Sequence, residues 1–213
     1  MLISIIGMSG SGKSYWSEKL ARHGFRRFCL DALITQKLDG KLRREDQSLL
    51  TLGEWMGFPF QDGYQEREEL YLSTERQLMA EILGWIEENA CVDSDENVVL
   101  DTTGSVIYTG ENLLESLRSL TTIVYFPVPA VIREAMLRQY LSNPRPVLWR
   151  GFFNIEPGET VEEALFRSYN ALLDSREVAY RELAGIEIDY FTRNSPDFRI
   201  SDLLEIAAQP VKK

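Results

Sequence analysis

Short apolar runs alternate along this chain with longer segments in which apolar residues recur every three or four positions, the pattern of strands alternating with helices. Residues 2–6, Leu-Ile-Ser-Ile-Ile, form a β-branched run of the kind that a strand buried on both faces requires. A glycine-rich stretch follows at once, and residues 14–23 then read as a helix with Gly24 placed to end it. Further strands are expected over 25–30, 98–100, 122–126 and 186–190. Helical periodicity marks 66–89, 111–117, 131–141, 161–183 and 200–207. Residues 48–56 admit a short helix, and Gly57, Pro59, Asp62 and Gly63 mark a loop after it. The stretch 142–158 is polar, holds Pro144, Pro146 and Pro157, and is expected to be a loop apart from the core. Strands and helices in this order give a parallel sheet covered on both faces, a three-layer α/β/α fold with about five parallel strands.

Composition narrows the function classes. The 213 residues suit a single domain, and with 44% apolar residues the chain can bury a substantial core. The net charge of −10 argues against a nucleic-acid partner, whose footprint would be basic. Cys29 and Cys91 fit neither a zinc site nor a disulfide framework and read as two buried thiols in a reducing compartment. His23 is the sole histidine, so a Ser/His/Asp triad is not expected. No apolar stretch approaches the roughly 18 residues of a membrane span, and the N-terminal run is too short for a signal peptide. We therefore expect a cytoplasmic protein without membrane or nucleic-acid partners, acting on a small molecule as a monomer or weak homodimer. The acidic pairs Glu68-Glu69 and Glu162-Glu163 and the stretch from Asp93 to Glu96 read as solvated faces or turns.

The sharpest chemical signal is Gly7-Met8-Ser9-Gly10-Ser11-Gly12-Lys13-Ser14, a G-x-x-x-x-G-K-S string between a strand and a helix. Gly7, Gly10 and Gly12 allow the backbone N–H groups to turn onto phosphate oxygens, together with the positive end of the helix. Lys13 supplies a charge for the β- and γ-phosphates, and Ser14 a hydroxyl for Mg²⁺. A kinase, a switch GTPase and a motor ATPase all use such a loop. Asp101 ends an apolar strand, the place where a P-loop protein holds Mg²⁺ through water; a capping or turn acid is the alternative. Asp101-Thr102-Thr103-Gly104 also fits the D-x-x-G of switch GTPases, but the guanine-reading N-K-x-D occurs nowhere in the chain.

Beyond the loop, the chain resembles the shikimate kinase family of small-molecule P-loop kinases from Leu2 to about Ile206. Asp31 matches the acid that contacts the substrate hydroxyl, and residues 101–106 lie where the family has its glycine-rich substrate loop. Arg138 and Arg145-Pro146-Val147-Leu148 resemble the adenine-side arginine and the lid signature. Ser175-Arg176 with residues 180–184 resembles the helix whose arginine binds a substrate carboxylate, and Thr192-Arg193-Asn194 a second adenine-side segment. The chain departs from the family where Cys29 replaces a second acid and where Thr102-Thr103-Gly104 replaces three glycines. The family's other carboxylate-gripping arginine has only Arg67 as its nearest counterpart.

The resemblance implies a nucleoside-monophosphate-kinase-like architecture, with a substrate-closing helical segment at about 32–89 and a lid at about 142–158. It implies ATP and Mg²⁺ as cofactors, and transfer of the γ-phosphate to a hydroxyl of a small, anionic metabolite. Lys13, Asp31 and Arg145 are the expected catalytic residues. ATP would be held by Gly7, Ser9, Gly10, Ser11, Gly12, Lys13, Ser14, Tyr15, Arg138 and Arg193. The acceptor would be held by Asp31, Arg67, Thr102, Thr103, Gly104 and Arg176, and the metal by Ser14 and Asp101. Another acceptor, such as a nucleoside, sugar acid or antibiotic, or a nucleotide-binding module without transfer chemistry, are the alternatives.

Overall fold

The apolar run at the N-terminus becomes β1 (Leu2–Ile6), and side-chain alternation decides what it packs against. Ile3 and Ile5 enter one hydrophobic cluster and Ile6 the other, so both faces of the strand are covered. In the computed structural model, which describes residues 1–44, 46–90 and 96–209, β1 is the centre of a parallel sheet. The order is β2-β3-β1-β4-β5, with β2 (Arg26–Cys29), β3 (Val98–Asp101), β4 (Thr122–Tyr125) and β5 (Ile186–Glu187). Register pairs Ile5 with Asp101 and Ile6 with Tyr125, so the loops after β1, β3 and β4 leave the sheet at the same edge. That edge, at the carboxyl ends of the strands, is where open sheets of this type bind ligands.

The helices are α1 (Lys13–Arg22), α2 (Leu30–Lys37), α3 (Asp39–Leu42), α4 (Leu52–Met56), α5 (Tyr64–Ala90), α6 (Glu111–Leu120), α7 (Ala130–Ser142), α8 (Val161–Leu183), α9 (Tyr190–Arg193) and α10 (Ile200–Ala207). On one face, Ile3, Ile5, Val99 and Val124 meet Trp16 and Leu20 of α1 and Leu203 of α10. On the other, Leu100, Ile123 and Tyr125 join Ile34 of α2, Tyr71 and Leu72 of α5, and Leu172 and Tyr180 of α8. The three-layer expectation and the five parallel strands are thus the observed architecture. No described helix is long and apolar enough to cross a membrane.

Local chemistry moves several boundaries. The second strand ends at Cys29 because α2 begins at Leu30, which puts Asp31 in the first turn of a helix rather than at a strand end. The short helix expected over 48–56 starts at Leu52, where Thr51 and Glu54 form a reciprocal capping box. The last strand is cut to two residues because the Asp189 carboxylate accepts the Phe191 and Thr192 amides and starts α9. Residues 144–158 carry no regular element, but they are not separate from the core: Val147, Leu148 and Trp149 are buried. Glu68 is also buried rather than solvated, its carboxylate accepting from the Tyr64 hydroxyl and the Arg150 amide. Cys29 is a half-buried free thiol; Cys91 and the acidic stretch before Glu96 lie outside the described residues.

Candidate active site

The loop from Gly7 to Gly12 turns back on itself through backbone geometry that glycine permits. A Cβ on Gly7 would lie 2.8 Å from the Phe126 carbonyl oxygen, and Gly12 caps α1 at φ 97°, ψ 8°. No side chain caps α1, so its first-turn amides are left to an anion. Lys13 folds back over the loop, its Nζ donating to the carbonyls of Gly7 (2.8 Å) and Met8 (2.9 Å). An ammonium has three protons, so one remains for a phosphate oxygen. Burial pulls the Lys13 pKa below the usual lysine range, while Asp101 and Asp31 act in the opposite direction.

Asp101 sits behind the loop, buried at the end of β3. Its Oδ2 accepts from Arg27 Nη2 at 2.7 Å and from the Ser17 hydroxyl at 2.9 Å, and Arg27 Nε donates to Ser17 at 2.7 Å. Arg27 thus neutralises the acid from the neighbouring strand. Among the described residues no cluster of three or more histidine, cysteine or acid side chains could cage a metal. That donor set, the open Ser14 hydroxyl and a recessed carboxylate, suits Mg²⁺, which keeps most of its waters and takes further oxygens from phosphates.

In the same cleft as Lys13 and Ser14, Asp31 is open to solvent at the mouth but enclosed by protein around it. That enclosure pushes its carboxyl above the usual range, with Lys13 and the Tyr71 hydroxyl pulling it back. Tyr71, buried on α5, donates to Asp31 Oδ1 at 3.0 Å. One helical turn further, Glu75 is fully buried, its carboxylate accepting from the hydroxyls of Thr103 and Ser105 (2.5 Å to the latter). Burial raises Glu75 to about 7 despite those two donors.

The expected residues divide clearly. A cleft of about 320 Å³ brings together Ser9, Gly10, Gly12, Lys13, Ser14, Tyr15, Asp31, Gly104 and Arg145. Arg145 overhangs the loop, with its Nη1 3.9 Å from where a Gly10 Cβ would be. Gly7 and Ser11 shape the loop from beneath, Ser11 being buried. Thr102 and Thr103 point away from the cleft: Thr102 Oγ1 donates to the Ile5 carbonyl at 2.8 Å and Thr103 to Glu75. Arg138 is turned outward and paired with Glu134 at 2.6 Å; the next residue, Gln139, lines the cleft. Arg67 ties α5 to the preceding turn by donating to the carbonyls of Met56 (2.9 Å) and Asp62 (3.1 Å). Arg193 is buried under the phosphate loop, holding the carbonyls of Ser11, Pro127 and Ile188 against the Phe126 ring. Arg176 is buried behind Gly104, donating to the Gly104 and Leu148 carbonyls and to the Tyr108 hydroxyl.

Sequence reasoning did not single out Arg27, Tyr71, Glu75 or Gln139. Tyr71 and Glu75 share one face of α5, a spacing of four that could have flagged them as partners of a nearby acid.

A family model described as an AAA domain, AAA_33, matches residues 2–149. A search of curated proteins returned no match. Among solved structures, the shikimate kinase from Acinetobacter baumannii in complex with shikimate superposes with a TM-score of 0.57 at 20% identity, covering 95% of this chain and 87% of that one. Shikimate kinases from Bacteroides thetaiotaomicron (TM-score 0.57) and Aquifex aeolicus (0.56) superpose at 18% identity, covering 96% of this chain and 94% of theirs. At these identities the likeness concerns the fold.

Proposed function

The chain belongs to the AAA domain family AAA_33 and has a P-loop kinase-like fold, and on that footing we propose that it is an ATP-dependent kinase transferring the γ-phosphate to a hydroxyl of a small metabolite. The observation that carries this reading is the meeting, in one cleft, of the loop lysine, an unpaired arginine above the loop, and a carboxylate facing them. A carboxylate facing the phosphates can orient either an acceptor hydroxyl or an attacking water, so dependence of ADP release on an added hydroxyl compound is what separates transfer from hydrolysis. The solved neighbour that holds shikimate supports a small-molecule acceptor in a fold of this type.

In this mechanism the loop amides and Lys13 bind the β- and γ-phosphates. Ser14, with Asp101 through water, would hold Mg²⁺, which supplies charge neutralisation on the phosphate oxygens when bound. Asp31 aligns the attacking hydroxyl and accepts its proton late, because the transition state is loose and positioning outweighs proton abstraction. Arg145, carried on the 142–158 segment acting as a lid, stabilises charge on the transferring group and excludes water. The elements between 32 and 89 close over the acceptor. The test is ADP release by purified protein with Mg-ATP and a panel of hydroxyl compounds. Acceptor-dependent release is expected, abolished together with nucleotide binding by Lys13→Ala. Tight ATP binding that no acceptor stimulates would instead make the chain a nucleotide-binding module, and turnover retained by Lys13→Ala would overturn the role of the loop.

A further inference from the structure

The arginines around the cleft differ in one respect that bears on the acceptor: whether their guanidinium groups are engaged. Arg176 donates through Nε, Nη1 and Nη2 to Tyr108, Gly104 and Leu148, lies 5.3 Å from the Tyr108 ring centroid and is 3% exposed. Arg67 holds the Met56 and Asp62 carbonyls, Arg27 is paired with Asp101, and Arg150 with Glu68 and Glu69. Arg145 is the arginine that lines the cleft, and it stands over Gly10, on the donor side. Where the acceptor must sit, near Gly104 and Asp31, the cations that reach Asp31 are Lys13 and Arg145, both on the phosphate-loop side, and the acid in the cleft wall is Asp31 itself.

Resting on the kinase reading, we infer that the acceptor is a hydroxyl compound carrying no acidic group. A carboxylate placed beside Asp31 would meet like charge, and the unengaged guanidinium in the cleft, Arg145, stands over Gly10 where the transferring phosphate needs it. Recruiting Arg176 would take its donor from the Leu148 carbonyl and leave the Gly104 carbonyl to Tyr180 alone, and a buried polar group left unsatisfied is destabilising. It would also remove one of the two side chains, Arg176 and Tyr180, that hold the loop at Gly104, where a Cβ would lie only 3.1 Å from the Ser9 amide nitrogen. The arginine that a carboxylate reader would need is therefore a brace between the acceptor loop and the segment carrying Arg145.

The experiment measures kcat/KM with Mg-ATP for matched pairs differing by one acidic group, such as glucitol against gluconate and ribose against ribonate, with shikimate added to the acidic set. The expected result is at least a tenfold preference for the uncharged member, and Arg176→Lys lowering the melting temperature while reducing kcat/KM by the same factor for every acceptor. A preference for the acidic members, with Arg176→Lys raising KM for them alone, would overturn the inference and leave the kinase reading standing. Absence of stimulation by any member, with ATP still bound, would overturn both.

Discussion

Gly53→Ala is a substitution of one methyl group whose effect should appear far from where it is made. Gly53 is buried in α4, and a Cβ there would lie 1.8 Å from the Pro144 carbonyl oxygen, 2.2 Å from its carbon and 2.7 Å from the Arg145 amide nitrogen. To bring the first of these from 1.8 Å to the 3.0 Å below which Cβ contacts essentially never fall, the backbone must retreat by about 1.2 Å. The helix is the less able to yield. Leu52 and Met56 are buried on either side of Gly53, Thr51 caps it, and Arg67 holds the Met56 carbonyl. Residues 144–145 lie in an irregular segment, so the displacement falls on Arg145, which overhangs the phosphate loop.

Overpacking of this kind costs about 1–3 kcal/mol of stability, or a melting temperature lower by roughly 2–12 °C in a domain of this size. A displacement of about 1 Å in a charge-stabilising group can lower kcat by up to ~100-fold, near 2.7 kcal/mol in the barrier. Initial rates of ADP release and a thermal melt measure both. Arg145→Gln supplies the control: if displaced Arg145 is the cause, adding Gly53→Ala to it lowers kcat little further. Unchanged kcat in Gly53→Ala, or losses that add in full, would refute the reasoning.

Two further predictions concern the acids Glu75 and Asp31. Glu75 holds its proton to about pH 7 in the folded chain but sheds it near 4.5 when unfolded, so between those values the native state binds more protons and stability falls as pH rises, by at most about 1.4 kcal/mol per unit from this group. Glu75→Gln, which keeps the shape without the titration, should gain melting temperature on the parent steadily from pH 5 to 7; parallel profiles would refute the burial argument. Tyr71→Phe removes the donor to Asp31 Oδ1, one of the influences that lower the carboxyl's pKa, so the acid limb of the kcat profile should move to higher pH; an unmoved limb would detach Tyr71 from the site.

The donor half of the cleft was legible because it is contiguous. A strand, Gly7 to Ser14 and a helix occur in one stretch, and each residue type answers a local requirement of phosphate binding. Arg138 and Gln139 mark where local reading stops: consecutive residues on a helix face about 100° apart, and only the packing of Met136, Leu137 and Tyr140 decides which of them meets the cleft. The Ser142–Gly158 stretch was recognisable as irregular from its prolines. The burial of Trp149 was not, because it depends on Tyr140 and Tyr169 arriving from two separate helices.

The half of the cleft proposed for the acceptor depends on long-range pairing throughout. Asp31 is set by Tyr71, forty residues on; Thr103 is set by Glu75; and Gly104 is held from α8 by Arg176 and Tyr180. A buried carboxylate at Glu75 looks in sequence like any glutamate on an amphipathic helix, since neither its burial nor its partners are local properties. The same holds for Arg176, whose residue type suggests an anion reader and whose surroundings make it a brace. Residue identity carries the chemistry that a position can perform. In this cleft the neighbours decide whether that chemistry faces the ligand or the protein, and three polar side chains at Arg176, Glu75 and Thr103 face the protein.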